Sequence, residues 1–201
     1  MCITWILFDQ AGVQTFPLFS TQQSYSINGV RITSRVLQTI WEHPAHRKYN
    51  RGEISEHEFV TAFLNDKQIN LTSRQFIRLM RAQITPIPGV KEVLERLKRN
   101  GFHLATIINE GKEWADYKFK VTGYRRFFDH IFVSGRMGLA KPDAAFYKLA
   151  LKTIHAKPQE CVFIDDQQKN VDAAKKLGIR SILFKNAKAL EESLAKYNVH
   201  I

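Results

Sequence analysis

Short apolar runs alternate with amphipathic segments over most of the chain, and this alternation constrains the fold more than any other feature of the sequence. The apolar runs of strand length are residues 3–8, 103–108, 130–134, 161–165 and 181–184. The segments with helical spacing between them are residues 90–101, 114–123, 142–154 and 169–178, and a last helix is predicted after Asn186. Alternation of this kind produces a parallel sheet with helices on both faces. The sequence therefore predicts the α/β class, as a three-layer α/β/α Rossmann-like core.

Residues 14–84 break this alternation. Their segments with helical spacing are residues 36–41, 56–64 and 74–80. Ser55 and Glu58 form a capping box before the second segment, and the breaker TPIPG at 85–89 is expected to act as a hinge. We therefore expect an inserted helical cap. The predicted units are a core of residues 1–13 and 85–201 and a cap of residues 14–84.

Composition narrows the class of protein. The chain has 201 residues, of which 44% are hydrophobic and 24% are charged, values that exclude a disordered chain. No run approaches the roughly 20 apolar residues of a membrane helix, and the N-terminus lacks a basic region before its apolar run. We expect a cytoplasmic protein without a membrane partner, in which Cys2 and Cys161 are reduced core thiols.

The net charge of +11 raises the question of nucleic-acid binding. The basic residues are spread over the whole chain and form no basic tail or basic domain. Arg74, Arg78 and Arg81 recur along one predicted helix, where a solvated face is the default interpretation. Nucleic-acid binding is therefore not favoured, and attraction of small phosphorylated molecules explains the same charge.

Polar side chains follow several predicted strands directly. Asp9, Asn109, Lys141 and the pair Asp165 and Asp166 all lie just past a strand, where ligands bind in open parallel sheets. Carboxylates that converge are costly unless a cation lies between them, and Mg²⁺ prefers such oxygen ligands. An aspartate nucleophile with Mg²⁺ and a lysine suits phosphoryl transfer.

Each of these residues also has a purely structural interpretation. Asp9 alone could cap the next loop, and Lys141 alone could be a solvated loop lysine, but their occurrence in order favours a phosphate or metal role. Asn170 is predicted as the N-cap of its helix. The histidines of the insertion show no metal motif and are expected to be solvated: His43, His46 and His57. The tryptophans are expected to be packing residues: Trp5, Trp41 and Trp114.

Four motifs in order carry a family resemblance. They are FDQAGV (8–13), ATIIN (105–109), LAKPDAAFYKLAL (139–151) and FIDDQQKNVDAAKKLG (163–178). Together they resemble the haloacid dehalogenase superfamily. The cap segment RGEISEHEF (51–59) resembles the branch that includes glucose-1-phosphate phosphatases and the N-terminal phosphatase domain of soluble epoxide hydrolase.

The resemblance implies a role for each motif residue. Asp9 resembles the nucleophile that forms an aspartyl-phosphate, and Lys141 resembles the catalytic lysine that holds it and the phosphoryl group. The implied Mg²⁺ ligands are Asp9, the backbone carbonyl of Ala11, Asp165 and Asp166. The implied phosphate contacts come from Ala11, Gly12, Asn109 and Lys141. The expected activity is that of a magnesium-dependent phosphatase-type hydrolase.

The chain departs from the family pattern at two positions. Ala11 stands where the phosphatases usually carry an Asp that protonates the leaving oxygen and later activates water. Ile108 stands where a Ser or Thr usually donates to the phosphoryl oxygens. General acid–base catalysis contributes about 10²–10⁴-fold, so we expect weak or leaving-group-selective turnover.

Two other functions stay open at this point. The same departures suit a degenerate protein that binds a ligand or a protein partner without turnover. Ala11 also resembles the first motif of phosphonate-cleaving members, which use a cap lysine as a Schiff base. Lys48 and Lys67 are the lysines that the cap offers for that role. The sequence names neither the substrate nor the oligomeric state.

Overall fold

The structure is a computed structural model that describes residues 2–20 and 22–201. Within these residues the strands are β1 (Trp5–Phe8), β2 (Ser24–Ile27), β3 (Val30–Thr33), β4 (His103–Ile108), β5 (His130–Val133), β6 (Cys161–Asp165) and β7 (Arg180–Leu183). The helices are α1 (Ser34–Gln38), α2 (Pro44–Asn50), α3 (Glu56–Asp66), α4 (Ser73–Ala82), α5 (Val90–Arg99), α6 (Lys112–Thr122), α7 (Ser134–Met137), α8 (Ala144–Thr153), α9 (Gln168–Lys176) and α10 (Ala187–Ala195).

Five parallel strands form the main sheet in the order β5-β4-β1-β6-β7. β1 lies in the centre, where Leu7 is in register with Ala105 of β4 and with Phe163 of β6. Helices cover both faces, so the predicted α/β/α fold class is confirmed. The carboxyl ends of β1, β4 and β6 consequently lie side by side, as the sequence analysis requires for a site at this edge.

The two faces of the sheet bury separate hydrophobic clusters, because alternate strand residues point in opposite directions. Ile6 and Phe8 pack with apolar residues of α5, α6 and α10. Leu7 packs with apolar residues of α8 and α9 on the other face. This burial on both sides explains why the strands read as nearly continuous apolar runs.

A third hydrophobic cluster lies within residues 14–84, which we call the cap. Its buried members come from the hairpin β2–β3 and from helices α1 to α4, and Trp114 of α6 joins them. The capping box of Ser55 and Glu58 is present at the start of α3, and Thr72 caps α4 in the same way. The third cluster supports our proposal that residues 14–84 fold as one unit.

The hairpin β2–β3 was not predicted, because its strands have four residues each and no long alternation. The signal for it is Asn28-Gly29 between the strands. Both residues have positive φ values, 48° and 78°, which is the conformation of the two-residue turn that suits a β-hairpin. The insertion is therefore mixed rather than entirely helical.

Two local expectations about element ends and thiols were wrong. Pro142 does not begin α8, because Asp143 is extended (ψ 126°) and its N–H donates to the carbonyl of Ala140 in a turn. Cys161 is buried, as expected, but Cys2 is exposed, since β1 begins only at Trp5. In the part of the chain that the structure describes, we find no helix with the length and apolar character needed to span a membrane.

Candidate active site

Asp9, Lys141 and Asp165 form a buried chain of ion pairs at the carboxyl edge of the sheet. Asp9 follows β1, and Asp165 ends β6. The Lys141 Nζ lies 2.8 Å from Asp9 Oδ1 and 2.6 Å from Asp165 Oδ2. The three residues are 6%, 4% and 0% exposed. The structure thus brings together three of the predicted site residues, and one ammonium bridges two carboxylates.

Asn109 positions Lys141 through its backbone. The Asn109 side chain accepts from the Lys141 N–H at 2.8 Å and donates to the Lys141 carbonyl at 2.7 Å. This pair of bonds ties the end of β4 to the loop that carries the lysine. It leaves Asn109 one amide hydrogen for any other acceptor, so its predicted phosphate contact stays a prediction.

The Asp165 carboxylate accepts hydrogen bonds from several protein donors. Its carboxylate accepts from Asn170 Nδ2 at 3.0 and 3.1 Å and from the Gln167 N–H at 2.8 Å, in addition to Lys141. Asn170 therefore lies inside α9 with its side chain on Asp165, and the N-cap of that helix is Gln167. The expectation that Asn170 caps the helix was wrong, because its amide satisfies a buried carboxylate instead.

Gln14 supports the backbone of the loop that carries Asp9. Its Nε2 donates to the Asp9 carbonyl at 2.8 Å, and the Asp9 N–H donates to the Ile164 carbonyl at 2.8 Å. Gln14 is completely buried. The sequence analysis did not single it out, although a buried polar residue five positions after Asp9 fits such a role.

Asp166 lies against the loop that follows β1. A Cβ on Gly12 would overlap the Asp166 carboxylate, and Gly12 has a φ of +79°. Only glycine therefore suits this position, for both space and conformation. One Asp166 oxygen, Oδ1, is buried without a hydrogen-bond partner among the described residues. Asp9, Asp165 and Asp166 each place a carboxylate oxygen within 4.8 Å of the others.

The pKa shifts follow from burial and from this charge balance. Burial raises the pKa of Asp9 to about 7, against the lowering effect of Lys141. Burial and the nearby Asp165 raise the pKa of Asp166. Burial lowers the pKa of Lys141, but Asp9 and Asp165 outweigh it and the net shift is upward. When all three carboxylates are ionised, they and the one ammonium carry a net charge of −2, which a divalent cation would neutralise.

These residues fit a hard divalent cation. A cation would offset the cost of burying the unpartnered Asp166 oxygen and the excess negative charge. Carboxylate oxygens are the ligands that Mg²⁺ prefers. Because the Asp165 carboxylate already accepts four hydrogen bonds, Asp9 and Asp166 are the better placed of the three to bind the ion directly.

The two departures from the family pattern have clear structural consequences. Ala11 lines a cavity above the site and offers it only a methyl group. Ile108 is fully buried in the cluster that packs under α5 and α6. Position 108 therefore contributes to the core instead of presenting a hydroxyl to the site.

A cavity of about 220 Å³ lies between the core and the cap. The core side includes Ala11, Asn109 and Asp166, and the cap side includes Tyr49 and Phe59. The other lining residues are Pro17, Leu18, Trp41, His46, Asn50, Glu56, Met80, Glu110, Trp114, Lys118 and Gln167. Most of these lining residues belong to no motif, and the sequence analysis did not predict that they line a cavity.

Three residues expected only on the surface or in the core prove to line this cavity: Trp41, Trp114 and His46. The His46 Nδ1 lies 3.0 Å from the Trp41 carbonyl, and its Nε2 lies 3.0 Å from Asn50 Nδ2. Burial lowers the pKa of His46. The expectation of a solvated histidine was wrong, because both ring nitrogens are engaged and the ring is neutral near pH 7.

Glycines allow the cap to approach the core closely. A Cβ on Gly111 would overlap the ring of Tyr49. A Cβ on Gly52 of the cap would likewise overlap the Gly135 carbonyl of the core. The missing side chains therefore permit direct contact between the cap and two core segments, the loop after β4 and helix α7 after β5.

Comparison with known proteins agrees with this geometry. Residues 27–184 match the family model for haloacid dehalogenase-like hydrolases, and the chain belongs to this family. A magnesium complex of a haloacid dehalogenase family enzyme from Bacteroides thetaiotaomicron has a TM-score of 0.72 at 19% identity, covering 92% of this chain and 95% of that one. At this identity the likeness shows the fold, and the expected family resemblance is confirmed.

Two curated relatives lie in the expected part of the family. Glyceraldehyde 3-phosphate phosphatase of Pyrococcus furiosus is 32% identical over 112 residues, covering 54% of this chain and 45% of that protein. Bifunctional epoxide hydrolase 2 of Sus scrofa is 33% identical over 107 residues, covering 50% of this chain and 19% of that protein. The matched region thus spans less than half of each relative.

Proposed function

We propose that the protein is a Mg²⁺-dependent phosphohydrolase that acts on a small phosphorylated molecule through an aspartyl-phosphate at Asp9. The observation that carries the proposal is the contact of Asp9 with Lys141 at 2.8 Å, with Asp166 beside them. A nucleophile, a fixed cation and a candidate metal ligand meet at one edge of the sheet. The phosphatase relative and the magnesium complex named above support the same chemistry.

In the proposed first step, one Asp9 oxygen attacks phosphorus and the bond from phosphorus to the leaving oxygen breaks. Lys141 holds Asp9 in place and favours its charged form, because the ammonium lowers the Asp9 pKa that burial raises. The same ammonium offsets negative charge on the phosphoryl oxygens. In the second step, water attacks phosphorus, Asp9 is released and inorganic phosphate leaves.

The metal would be held by Asp9, Asp166 and, as the family resemblance implies, the backbone carbonyl of Ala11. When bound, Mg²⁺ supplies positive charge that stabilises the phosphoryl oxygens in the transition state. Asp165 would act mainly by orienting Lys141, because its oxygens already accept bonds from Asn170 and the Gln167 N–H. Gly12 keeps space for the Asp166 carboxylate.

The methyl group of Ala11 sets the choice of leaving group. It neither protonates a leaving oxygen nor removes a proton from water. Substrates whose leaving group is stable as an anion, such as aryl or acyl phosphates, depend least on the missing acid. Alkyl phosphates depend most on it, and we expect them to be slow by about 10²–10⁴-fold.

A binding protein without turnover is the second candidate. The observation that favours it is the pair Ala11 and Ile108, one a methyl group in the cavity and the other a core residue. Phosphonate cleavage is less well supported. Lys48 and Lys67 are exposed, and neither belongs to the cavity lining.

The test is phosphate release from acetyl phosphate and p-nitrophenyl phosphate with Mg²⁺, compared between the wild type and Asp9→Asn. We expect turnover that the variant lowers by more than about 10³-fold, because the covalent step is lost. Asp66→Asn is the matched control, since this aspartate lies outside the four motifs, at the exposed end of α3, and pairs with the neighbouring Lys67 at the surface. Equal turnover in Asp9→Asn and wild type would contradict the proposal, and metal binding without turnover would favour the second candidate.

A further inference from the structure

Glu110 and Lys118 form a buried ion pair in the wall of the cavity. Glu110 follows Asn109 directly, and Lys118 lies on α6. The Lys118 Nζ donates to Glu110 Oε1, and the two residues are 7% and 2% exposed. Neither belongs to a motif of the family resemblance, and neither contacts the Asp9–Lys141 chain through a hydrogen bond among the described residues.

One oxygen of this pair has no partner. Glu110 Oε2 is buried and lacks a hydrogen bond among the described residues. A buried carboxylate oxygen is costly to leave unpaired, and such groups normally find a donor. Because Glu110 lines the cavity, a molecule inside the cavity is a natural source of that donor.

The cap residues that face this ion pair across the cavity carry no free charge among the described residues. The large surfaces among them come from Trp41, Phe59 and Met80. His46 is neutral near pH 7, since burial lowers its pKa, and the Glu56 carboxylate pairs with Arg81 at 2.8 Å. Such a wall suits an uncharged, mainly apolar body that contacts aromatic side chains.

The neutral charge of the Glu110–Lys118 pair also determines which kind of ligand group can donate to Glu110. Lys118 already neutralises Glu110, so a cationic donor would leave an excess positive charge in a buried place. A neutral hydroxyl supplies the missing hydrogen bond without that cost. The apolar wall and the unpaired Glu110 oxygen together favour an uncharged body that carries a hydroxyl group. The Tyr49 hydroxyl, which also lines the cavity without a hydrogen bond among the described residues, offers that body a second polar contact.

We propose that Glu110, held by Lys118, binds a hydroxyl on the leaving group, and that the substrates are phosphate monoesters of uncharged, mainly apolar alcohols or phenols that carry a further hydroxyl. The inference rests on the proposed function, because it assigns the phosphate to the Asp9 site. Glu110 is thereby a specificity-determining residue. It is separate from the groups that act on phosphorus.

The experiment compares the binding of two non-hydrolysable ligands in the presence of Mg²⁺. They are (hydroxymethyl)benzylphosphonate, as its meta and para isomers, and the corresponding methylbenzylphosphonates. Trp41 and Trp114 line the cavity and Trp5 does not, so quenching of tryptophan fluorescence reports occupancy. We expect the wild type to bind one hydroxymethyl isomer about 10-fold or more tightly than its methyl counterpart, the effect of one hydrogen bond to a charged group.

The double variant Glu110→Leu/Lys118→Met removes both charges of the pair together with the hydrogen-bonding oxygens of Glu110. We expect it to lose the preference while binding the methyl ligand like the wild type, which also shows that the variant is folded. The control Lys91→Met/Glu95→Gln removes an exposed ion pair of α5 and should keep the preference. The inference is overturned by equal binding of both ligands to the wild type, by binding of neither, by a preference that survives in the double variant, or by a loss that affects both ligands alike.

The experiment distinguishes failure of the hydrolase proposal from failure of the Glu110 recognition proposal. The phosphonates contain no bond that the proposed reaction breaks, so their binding is independent of turnover. Hydroxyl selectivity without phosphate release from acetyl phosphate would support the recognition site and contradict the hydrolase. Phosphate release without hydroxyl selectivity would support the hydrolase and contradict the recognition site.

Discussion

Two walls of the cavity, the one at Asp9 and the one at Glu110, differ in how their polar groups are satisfied. In the first wall, Asp9, Lys141 and Asp165 bind one another and leave a net negative site beside Asp166. In the other wall, aromatic surface of the cap and of α6 surrounds one neutral ion pair of the core with an unpaired oxygen on Glu110. The first arrangement suits a cation and a phosphoryl group, and the second suits an uncharged body. Chemistry and selectivity are thus assigned to different walls of one cavity.

Restoring an acid on the core side should change turnover most. Ala11→Asp places a carboxylate in the cavity beside the site, where it can protonate a leaving oxygen. We expect kcat on an alkyl phosphate to rise by about 10²–10⁴-fold, with a smaller gain on acetyl phosphate. Steady-state phosphate release measures both, and Asp9→Asn/Ala11→Asp should stay inactive. An unchanged kcat on the alkyl phosphate would contradict the assignment of Ala11 as the limiting defect.

Removing the core-side cation should destabilise the fold strongly. Lys141→Met leaves the buried carboxylates of Asp9 and Asp165 without a counter-ion, and we expect the free energy of unfolding to fall by about 3–5 kcal/mol. Urea denaturation without metal at pH 8 measures this loss. The control Lys148→Met removes an exposed lysine of α8 and should have little effect. A loss below about 1 kcal/mol for Lys141→Met would contradict the described charge balance.

The titration of Asp9 should make the free energy of unfolding depend on pH. Without metal, folded Asp9 keeps its proton up to a pKa of about 7, whereas the unfolded chain releases it near 3.8. The folded state therefore binds more protons between these values, and the free energy of unfolding falls as pH rises from 4 to 7, by up to about 4 kcal/mol. Urea denaturation across this range should show a smaller fall for Asp9→Asn.

Urea denaturation in the presence of Mg²⁺ tests whether the same carboxylates bind the ion. The ion favours the charged carboxylates, so saturating Mg²⁺ should stabilise the wild type more at pH 7 than at pH 5. Asp166→Asn should lose this stabilisation, while Asp172→Asn, an exposed aspartate of α9, should keep it. Equal pH slopes for wild type and Asp9→Asn, or full Mg²⁺ stabilisation of Asp166→Asn, would argue against the proposed cation site.

Disturbing the contact between Gly111 of the core and Tyr49 of the cap should change the free energy of unfolding least. Gly111→Ala forces a Cβ into the ring of Tyr49, and we expect a loss of about 1–3 kcal/mol, as for an overpacked core. Thermal unfolding monitors the change. Adding Tyr49→Ala should make the Gly111 substitution nearly neutral, because the overlapping ring is gone. If the cost of Gly111→Ala were the same in both backgrounds, the close approach would not be its cause.

The sequence predicted the wall at Asp9 better than the wall at Glu110 for a physical reason. Strand ends in a parallel sheet meet at one edge, so Asp9, Lys141 and Asp165 could be grouped from order alone. Helices α3 and α4 of the insertion and the capping box of Ser55 were also predictable, whereas α2 was not among the predicted segments. The main fold followed from the same alternation of strands and helices.

What the sequence could not provide are contacts that depend on how separate elements pack. Asn170 was expected to cap a helix but binds Asp165, and His46 was expected in solvent but lies in the cavity. Glu110 and Lys118 are eight positions apart and resemble any surface pair until β4 and α6 place them in a buried wall. Selectivity is therefore visible only in the assembled structure.

The most direct test of the central claim is detection of the covalent intermediate on Asp9. Wild-type protein would be mixed with acetyl phosphate and Mg²⁺, quenched rapidly in acid, digested and analysed by mass spectrometry. Because Ala11 provides no base for water, we predict that a phosphoryl group accumulates on Asp9 and that Ala11→Asp lowers its level. Phosphate release without phosphorylation of Asp9, or phosphorylation of another residue that persists in Asp9→Asn, would contradict the account.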